Sequence, residues 1–200
     1  MYGVWEDYMW QHCHNDDLWI YDKLILSRKL GYVCGPVDVD VPQPGHYIVR
    51  PCVNVAGMGR DAMIEWIEKD TQHLPAGHFW CEMFEGRQLS VDYVNKKQGL
   101  TTEGFRDNLN PLWKFDKWEV VNDKIKYPKI LNKLKKRYKY INCEFIDNKL
   151  IEVHLRINSD MGEFKEVIPV WQCDEDISLE KEGYIFVEDD DFHRKGFWKK

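Results

Sequence analysis

His78–Val94, HFWCEMFEGRQLSVDYV, is the stretch on which the fold turns. Two runs rich in β-branched and aromatic residues flank an acidic turn that carries a glycine. His78–Phe84 and Gln88–Val94 are therefore expected as strands, with Glu85-Gly86-Arg87 between them. Taken alone, the pattern specifies a hairpin and says nothing about chemistry.

The rest of the chain sets bounds on that reading. Two hundred residues allow one domain or two small lobes. Apolar residues at 44%, with nine Trp among them, supply a core. Charged residues at 31% are mixed in sign and interspersed, which argues against disorder. A net charge of −6 does not suggest a nucleic-acid partner. The six cysteines are scattered, form no CxxC and follow no signal peptide, so reduced thiols and a cytoplasmic setting are expected. No apolar run approaches the roughly 18–20 residues that span a bilayer.

Outward from the hinge toward the N-terminus, His46–Arg50 is an expected strand ended by Pro51, followed by a loop with Gly57 and Gly59. Ala62–Ile67 fits either a strand or a helix. Gly35–Gly45 is a turn-rich connector. A helix is expected from Asp16 to Leu30, with Asp16 and Asp17 at its start, Leu18, Tyr21, Ile25 and Leu26 on one face, and Gly31 as its stop. Spacing alone reads Lys23, within that helix, as a solvated lysine. His12-Cys13-His14 holds metal-ligand residue types without metal-ligand spacing, because adjacent side chains point apart.

Toward the C-terminus, residues 95–112 read as a polar loop or lid. Trp113–Val121 suggests a strand, Pro128 starts a helix with a basic solvated face, and Glu166–Trp171 is a further strand. The acidic run Glu188–Asp191 and the basic end read as an exposed tail. Tyr140–Asn158, YINCEFIDNKLIEVHLRIN, is an expected hairpin turning at Asp147-Asn148. Alternation places Asn142, Glu144 and Ile146 on one face, and Glu152, His154 and Arg156 likewise share one. Such a face either meets water or serves a ligand, since carboxylates are not left unpaired in a dry core.

Three of these segments, in this chain order, resemble the ATP-grasp fold, and so does the Asp22-Lys23 pair ahead of them. The hinge is similar to the family's v-E-x-[FY]-[IF]-E-G-[RK]-[EQ]-x-S-V-D pattern through Glu82, Phe84, Glu85, Gly86, Arg87, Ser90, Val91 and Asp92. That resemblance implies adenine against Cys81, Glu82, Met83 and Phe84, and ribose near Gln88, where many members carry glutamate. Asp22-Lys23 is similar to a D-K helix whose cation reaches the ATP phosphates. His46–Gly59 looks like [IV]-V-[KR]-P…G-x-G, which implies phosphate binding by Arg50, standing where lysine is commoner, and by a loop with Gly57 and Gly59. Tyr140–Asn158 resembles [DE]-F-I…G-K-[LIV]-x-x-E-[IV]-N-x-R, with Arg156 matching its final position. Glu144 and Glu152 would hold magnesium, and His154 stands where asparagine is usual, so manganese would also be accepted.

The resemblance covers about Asp22 to Asn158. It implies an α+β, ATP-grasp-like fold: two lobes with antiparallel sheets flanked by helices and a nucleotide cleft between them. The first lobe is expected at about 16–80, the second at about 81–170, and a C-terminal extension at 171–200. The implied activity is an ATP-dependent ligase that makes an acyl phosphate from a small carboxylate or peptide and passes it to an amine or thiol. Lys23, Arg50 and Arg156 would be its catalytic cations. Alternatives are a non-catalytic nucleotide-binding or phage-associated structural protein, or a small-molecule kinase. With only about twenty residues ahead of Asp22, the resemblance implies a reduced form without the family's usual N-terminal domain, its place expected to be taken by a second copy or a partner. The chain also resembles uncharacterised proteins of tailed phages, which would place it in host cytoplasm.

Overall fold

Period-two alternation of apolar and polar residues builds a mostly β protein with short helices. The computed structural model describes residues 6–53, 59–174, 178–189 and 194–200. Two antiparallel sheets share the strands. The first contains β1 (Cys34–Pro36), β2 (Gly45–Pro51), β3 (Met63–Ile67) and β4 (His78–Glu82), in the order β1-β4-β2-β3. The second contains β5 (Gln88–Val94), β6 (Lys97–Phe105), β7 (Lys117–Val120), β8 (Tyr140–Ile146), β9 (Lys149–His154), β10 (Glu166–Trp171), β11 (Ile185–Glu188) and β12 (Arg194–Lys199). Its order is β11-β12-β10-β7-β6-β5-β8-β9.

The expected hairpin at the hinge does not form. β4 pairs with β1 and β2, whereas β5 pairs with β6 and β8. The segment 83–87 therefore carries the chain from one sheet to the other. Gly86 makes that crossing with φ of +125°, and a Cβ there would stand 2.6 Å from the Cβ of Asp147.

The expected helix over Asp16–Leu30 is two elements. A 3-10 helix, Asn15–Tyr21, is followed by an α-helix, Lys23–Leu30, after a first α-helix at Glu6–His12; these are α2 and α1. Asp22 is extended, at φ −92° and ψ 104°, and its Oδ1 accepts from the backbone N–H of Ile25 at 2.9 Å. It caps α2 as a helix-starting aspartate does, and Lys23 becomes the first helical residue. Gly31 ends α2 in the left-handed region at φ 79°. The segment after Pro128 is a 3-10 helix, Lys129–Lys136, held down by the buried Leu131 and Leu134.

The main core lies on one face of the second sheet. Leu89, Val91 and Tyr93 of β5 and Ile141, Cys143 and Phe145 of β8 pack there with Val153 of β9, against Ile20, Leu26, Leu131 and Leu134. A second core joins Tyr47, Val49, Ile67, Leu74 and Trp80 on the first sheet.

Two further expectations are corrected. Residues 97–105 are not a lid but the strand β6, in register with β5 from Gln88↔Gly104 to Val94↔Lys97. Asn95 and Lys96 turn into it with φ of 50° and 67°. The basic end is not an exposed tail either: β12 pairs with both β10 and β11, and Phe197 and Trp198 are buried.

Candidate functional site

The face of the second sheet opposite its main core is polar. Thr102, Ser90, Glu144 and Glu152 are successive cross-strand partners over β6, β5, β8 and β9. Asp92, Asn142 and His154 form a second row beside them. The turn between β8 and β9 is Asp147-Asn148, with φ of 42° and 65°, which suits a tight hairpin. The register then slips: Phe145 pairs with Leu150, but Glu144 pairs with Glu152. Ile151 is left outside the ladder, as a bulge residue is.

Arg50 of the first sheet crosses to that bulge. Its Nη2 donates to the carbonyl of Ile151 at 3.3 Å, and its guanidinium lies 5.3 Å from the centre of the Phe79 ring. Its Nε is buried and has no hydrogen-bond partner among the described residues. Burial pulls the Arg50 pKa down, opposed first by the charge of Glu152. The group stays charged, because guanidinium starts so far above neutrality.

Lys23 arrives from the first turn of α2. It is 3% exposed, and its Nζ stands 3.1 Å from Oε2 of Glu152. The backbone N–H of Lys23 donates to the carbonyl of Cys52 at 2.7 Å, fixing the start of α2 to the end of β2. The lysine that spacing reads as solvated is thus among the most buried polar groups. Oε1 of Glu152 lies 3.5 Å from Nε2 of His154, which also stands 3.8 Å from Oε1 of Glu144. The second oxygen of Glu144 accepts from Nε2 of Gln88 at 3.2 Å.

Burial alone would raise the pKa of Glu152. Lys23, His154 and Arg50 outweigh it and hold the carboxyl at about 2. Two facing carboxylates without a cation would push one pKa up; with Lys23, His154 and Arg50 present, that of Glu152 goes down. The protein supplies its own cations.

The remaining expected site residues divide. Lys23, Arg50, Gln88, Glu144, Glu152 and His154 meet in one cluster. Gly57 lies outside the described residues. Gly59 sits in a turn at φ 64°, with its carbonyl accepting from the N–H of Ala62. Arg156 donates to the carbonyl of Ile157 and lends its charge to Asp92, in the row beside the cluster. At the hinge, Cys81 is buried, and burial pushes its thiol pKa up to about 12. Both the backbone N–H and Oε1 of Glu82 are tied to the backbone of Val33, at 2.8 Å each. Met83 and Phe84 are half-buried. Phe84 meets Tyr32 edge-on at 4.7 Å, with Nζ of Lys149 within 6 Å of both rings. Arg87 is committed to Glu103 and Asp123 on the surface.

Sequence reasoning missed the buried network beside the cluster. Nδ2 of Asn142 donates to Ser90 at 2.8 Å and to Oδ1 of Asp92 at 2.9 Å. The same oxygen accepts from the N–H of Asn158 at 2.9 Å, anchoring the connector after β9. Burial raises the Asp92 pKa, against those hydrogen bonds. Its alternation with Leu89, Val91 and Tyr93 was the available signal.

The magnesium expected at Glu144, Glu152 and His154 does not fit this arrangement. Two carboxylates and an imidazole are suitable donors, but the Lys23 ammonium already stands on one oxygen of Glu152, and His154 faces the other. Among the described residues, no group of three or more His, Cys, Asp or Glu is placed to hold a metal ion.

No protein-family model matches the chain, and no curated protein matches it. Solved structures do resemble it. A protein from Archaeoglobus fulgidus described as an ATP-grasp superfamily member is 20% identical, with a TM-score of 0.44, over 71% of this chain and 47% of that one. The ATP-grasp ligase PsnB, with a phosphomimetic variant of its minimal precursor, Mg and ADP, is 12% identical at a TM-score of 0.41, over 70% and 51%. An L-amino acid ligase from Bacillus licheniformis is 10% identical at 0.40, over 70% and 41%. The chain spans about half the length of the structures it matches. At these identities and scores, the functional reading rests on the chain's own residues. Among the described residues, no helix is long and apolar enough to cross a membrane.

Proposed function

We propose that the junction of the two sheets binds ATP and that the chain acts as an ATP-dependent ligase of ATP-grasp type. One observation carries the reading. Lys23, Arg50 and the Glu144–Glu152 pair come from three segments that resemble the family's phosphate and metal segments, and they meet in one cluster. A random set of surface charges has no reason to converge from positions so far apart in sequence. In this reading, the Lys23 ammonium and the Arg50 guanidinium neutralise phosphate oxygens and align the nucleotide. Glu152 holds Lys23 in place, Gln88 orients Glu144, and Met83 and Phe84 offer the half-buried apolar wall for the base. The γ-phosphoryl group passes to a substrate carboxylate, and an amine or thiol displaces phosphate from the acyl phosphate. Magnesium is given no step, because the residues present do not fit it.

A second reading, nucleotide binding without turnover, is favoured by Lys23 standing on Glu152. Calorimetric titration with a non-hydrolysable ATP analogue, followed by ADP release with panels of carboxylates and amines, separates the two. Binding with ADP release supports the ligase, and binding alone supports the second reading. Absence of binding to a folded wild-type chain, or equal binding by wild type and a folded Arg50→Ala, which removes the cation, sinks the phosphate site.

A further inference from the structure

We infer that the Lys23 ammonium is the resident cation of the Glu144–Glu152–His154 cluster and excludes a divalent metal ion from it. The inference concerns the cluster to which ATP binding is ascribed, and it rests on that reading for the site's identity.

Donor chemistry alone would invite a divalent ion. Glu144 and Glu152 are direct cross-strand partners, and Nε2 of His154 lies within 4 Å of an oxygen of each. Carboxylate oxygens with one imidazole suit manganese and other divalent transition ions. Their coordinating atoms are nonetheless engaged. One oxygen of Glu152 faces Nζ of Lys23 at 3.1 Å, and the other faces His154 at 3.5 Å. One oxygen of Glu144 accepts from Gln88.

Lys23 has little freedom to leave. Its side chain is 3% exposed, and its backbone N–H is bonded to the carbonyl of Cys52. Asp22, the preceding residue, caps the helix that Lys23 begins. A divalent ion brought to Glu152 would sit within a few ångströms of this ammonium, with the Arg50 guanidinium also bearing on that carboxylate. Repulsion between like charges at such range, in a partly dry site, is much stronger than in water. Removing the ammonium while keeping the chain length leaves two carboxylates and an imidazole facing one another. That set attracts a divalent ion.

The test uses Mn2+ alone as the probe, read by electron paramagnetic resonance of the free ion against the full-length chain. Wild type and Lys23→Arg, which keeps the charge, should take up Mn2+ weakly. Lys23→Met should bind it about tenfold or more tightly, and Lys23→Met/Glu152→Gln should lose the gain. Melting curves establish that each variant is folded, and Lys23→Gln replaces Lys23→Met should the latter not fold. Wild type binding Mn2+ as tightly as Lys23→Met overturns the inference, and so does a folded Lys23→Met that gains nothing. Failure of the ATP reading looks different. Wild type would then bind no ATP analogue with or without Mn2+, while the gain in Lys23→Met persisted.

Discussion

Glu152 shows how a single side chain can carry a site's electrostatics. Its carboxyl is 13% exposed and is held at about 2, against an ordinary 4.5, by Lys23, His154 and Arg50 acting against burial. Because the folded-state pKa lies below the unfolded one, the stabilisation is fully present above about pH 4.5 and is lost as pH falls toward 2. A depression of that size corresponds to on the order of 3 kcal/mol, with roughly half already gone at pH 3. Glu152→Gln should therefore melt below wild type at pH 7, with a gap that narrows steadily between pH 4.5 and 3. Thermal melts across pH 7 to 3 check this, and a gap unchanged down to pH 3 would show that Glu152 carries no such linkage. At the same scale Arg50, expected as a phosphate ligand, also joins the two sheets through the Ile151 carbonyl, so its truncation should cost on the order of 1–3 kcal/mol of stability.

Among the elements, α2 is held by the buried Leu26 and by its first residues. Asp22 ends the preceding 3-10 helix and caps α2 through the N–H of Ile25, so Asp22→Ala should cost about 1 kcal/mol in urea unfolding, while Asp22→Asn costs less. The same change should weaken nucleotide binding, because Lys23 is aimed from that turn. Equal stability of Asp22→Ala and wild type would remove the cap from the account. The break at Asp22 was not legible in the sequence, since both halves of 16–30 are helix-compatible and only the cap geometry separates them. β5 was legible to the residue because its apolar positions alternate against a polar face. β6 was not: Gln98, Thr101, Thr102 and Glu103 read as loop, yet Thr101 and Thr102 are buried on a strand central to the sheet. The site residues were reached through resemblance rather than spacing. Lys23 shows the difference, as spacing alone sends it to solvent. The bulge at Ile151, which gives Arg50 its acceptor, leaves no mark in residue types.

At the scale of the whole molecule, the C-terminal strands complete the sheet that carries the site. β12 lies between β10 and β11, burying Phe197 against Met161 and Val167, and Trp198 against Val170 and Tyr184. Two of its cations reach back toward the connector after β9. Nη1 of Arg194 stands 3.3 Å from Asp160, and Nζ of Lys199 donates to the Asp160 carbonyl. That connector is the one Asp92 anchors through the N–H of Asn158, beside Asn142 and the His154 row. Removing residues 179–200 should thus do more than trim an end. It would bare the β10 edge and the apolar faces of Val167, Val170 and Trp171, a surface prone to pairing with another chain. The truncated chain should lose cooperative unfolding, bind a hydrophobic dye and aggregate. Where a soluble fraction remains, its affinity for an ATP analogue should fall, because the connector beside the site has lost its outer anchor. A truncated chain that melts cooperatively at the wild-type temperature and binds the analogue equally would show that the site is complete within residues 6–178 and that β11 and β12 are accessory to it.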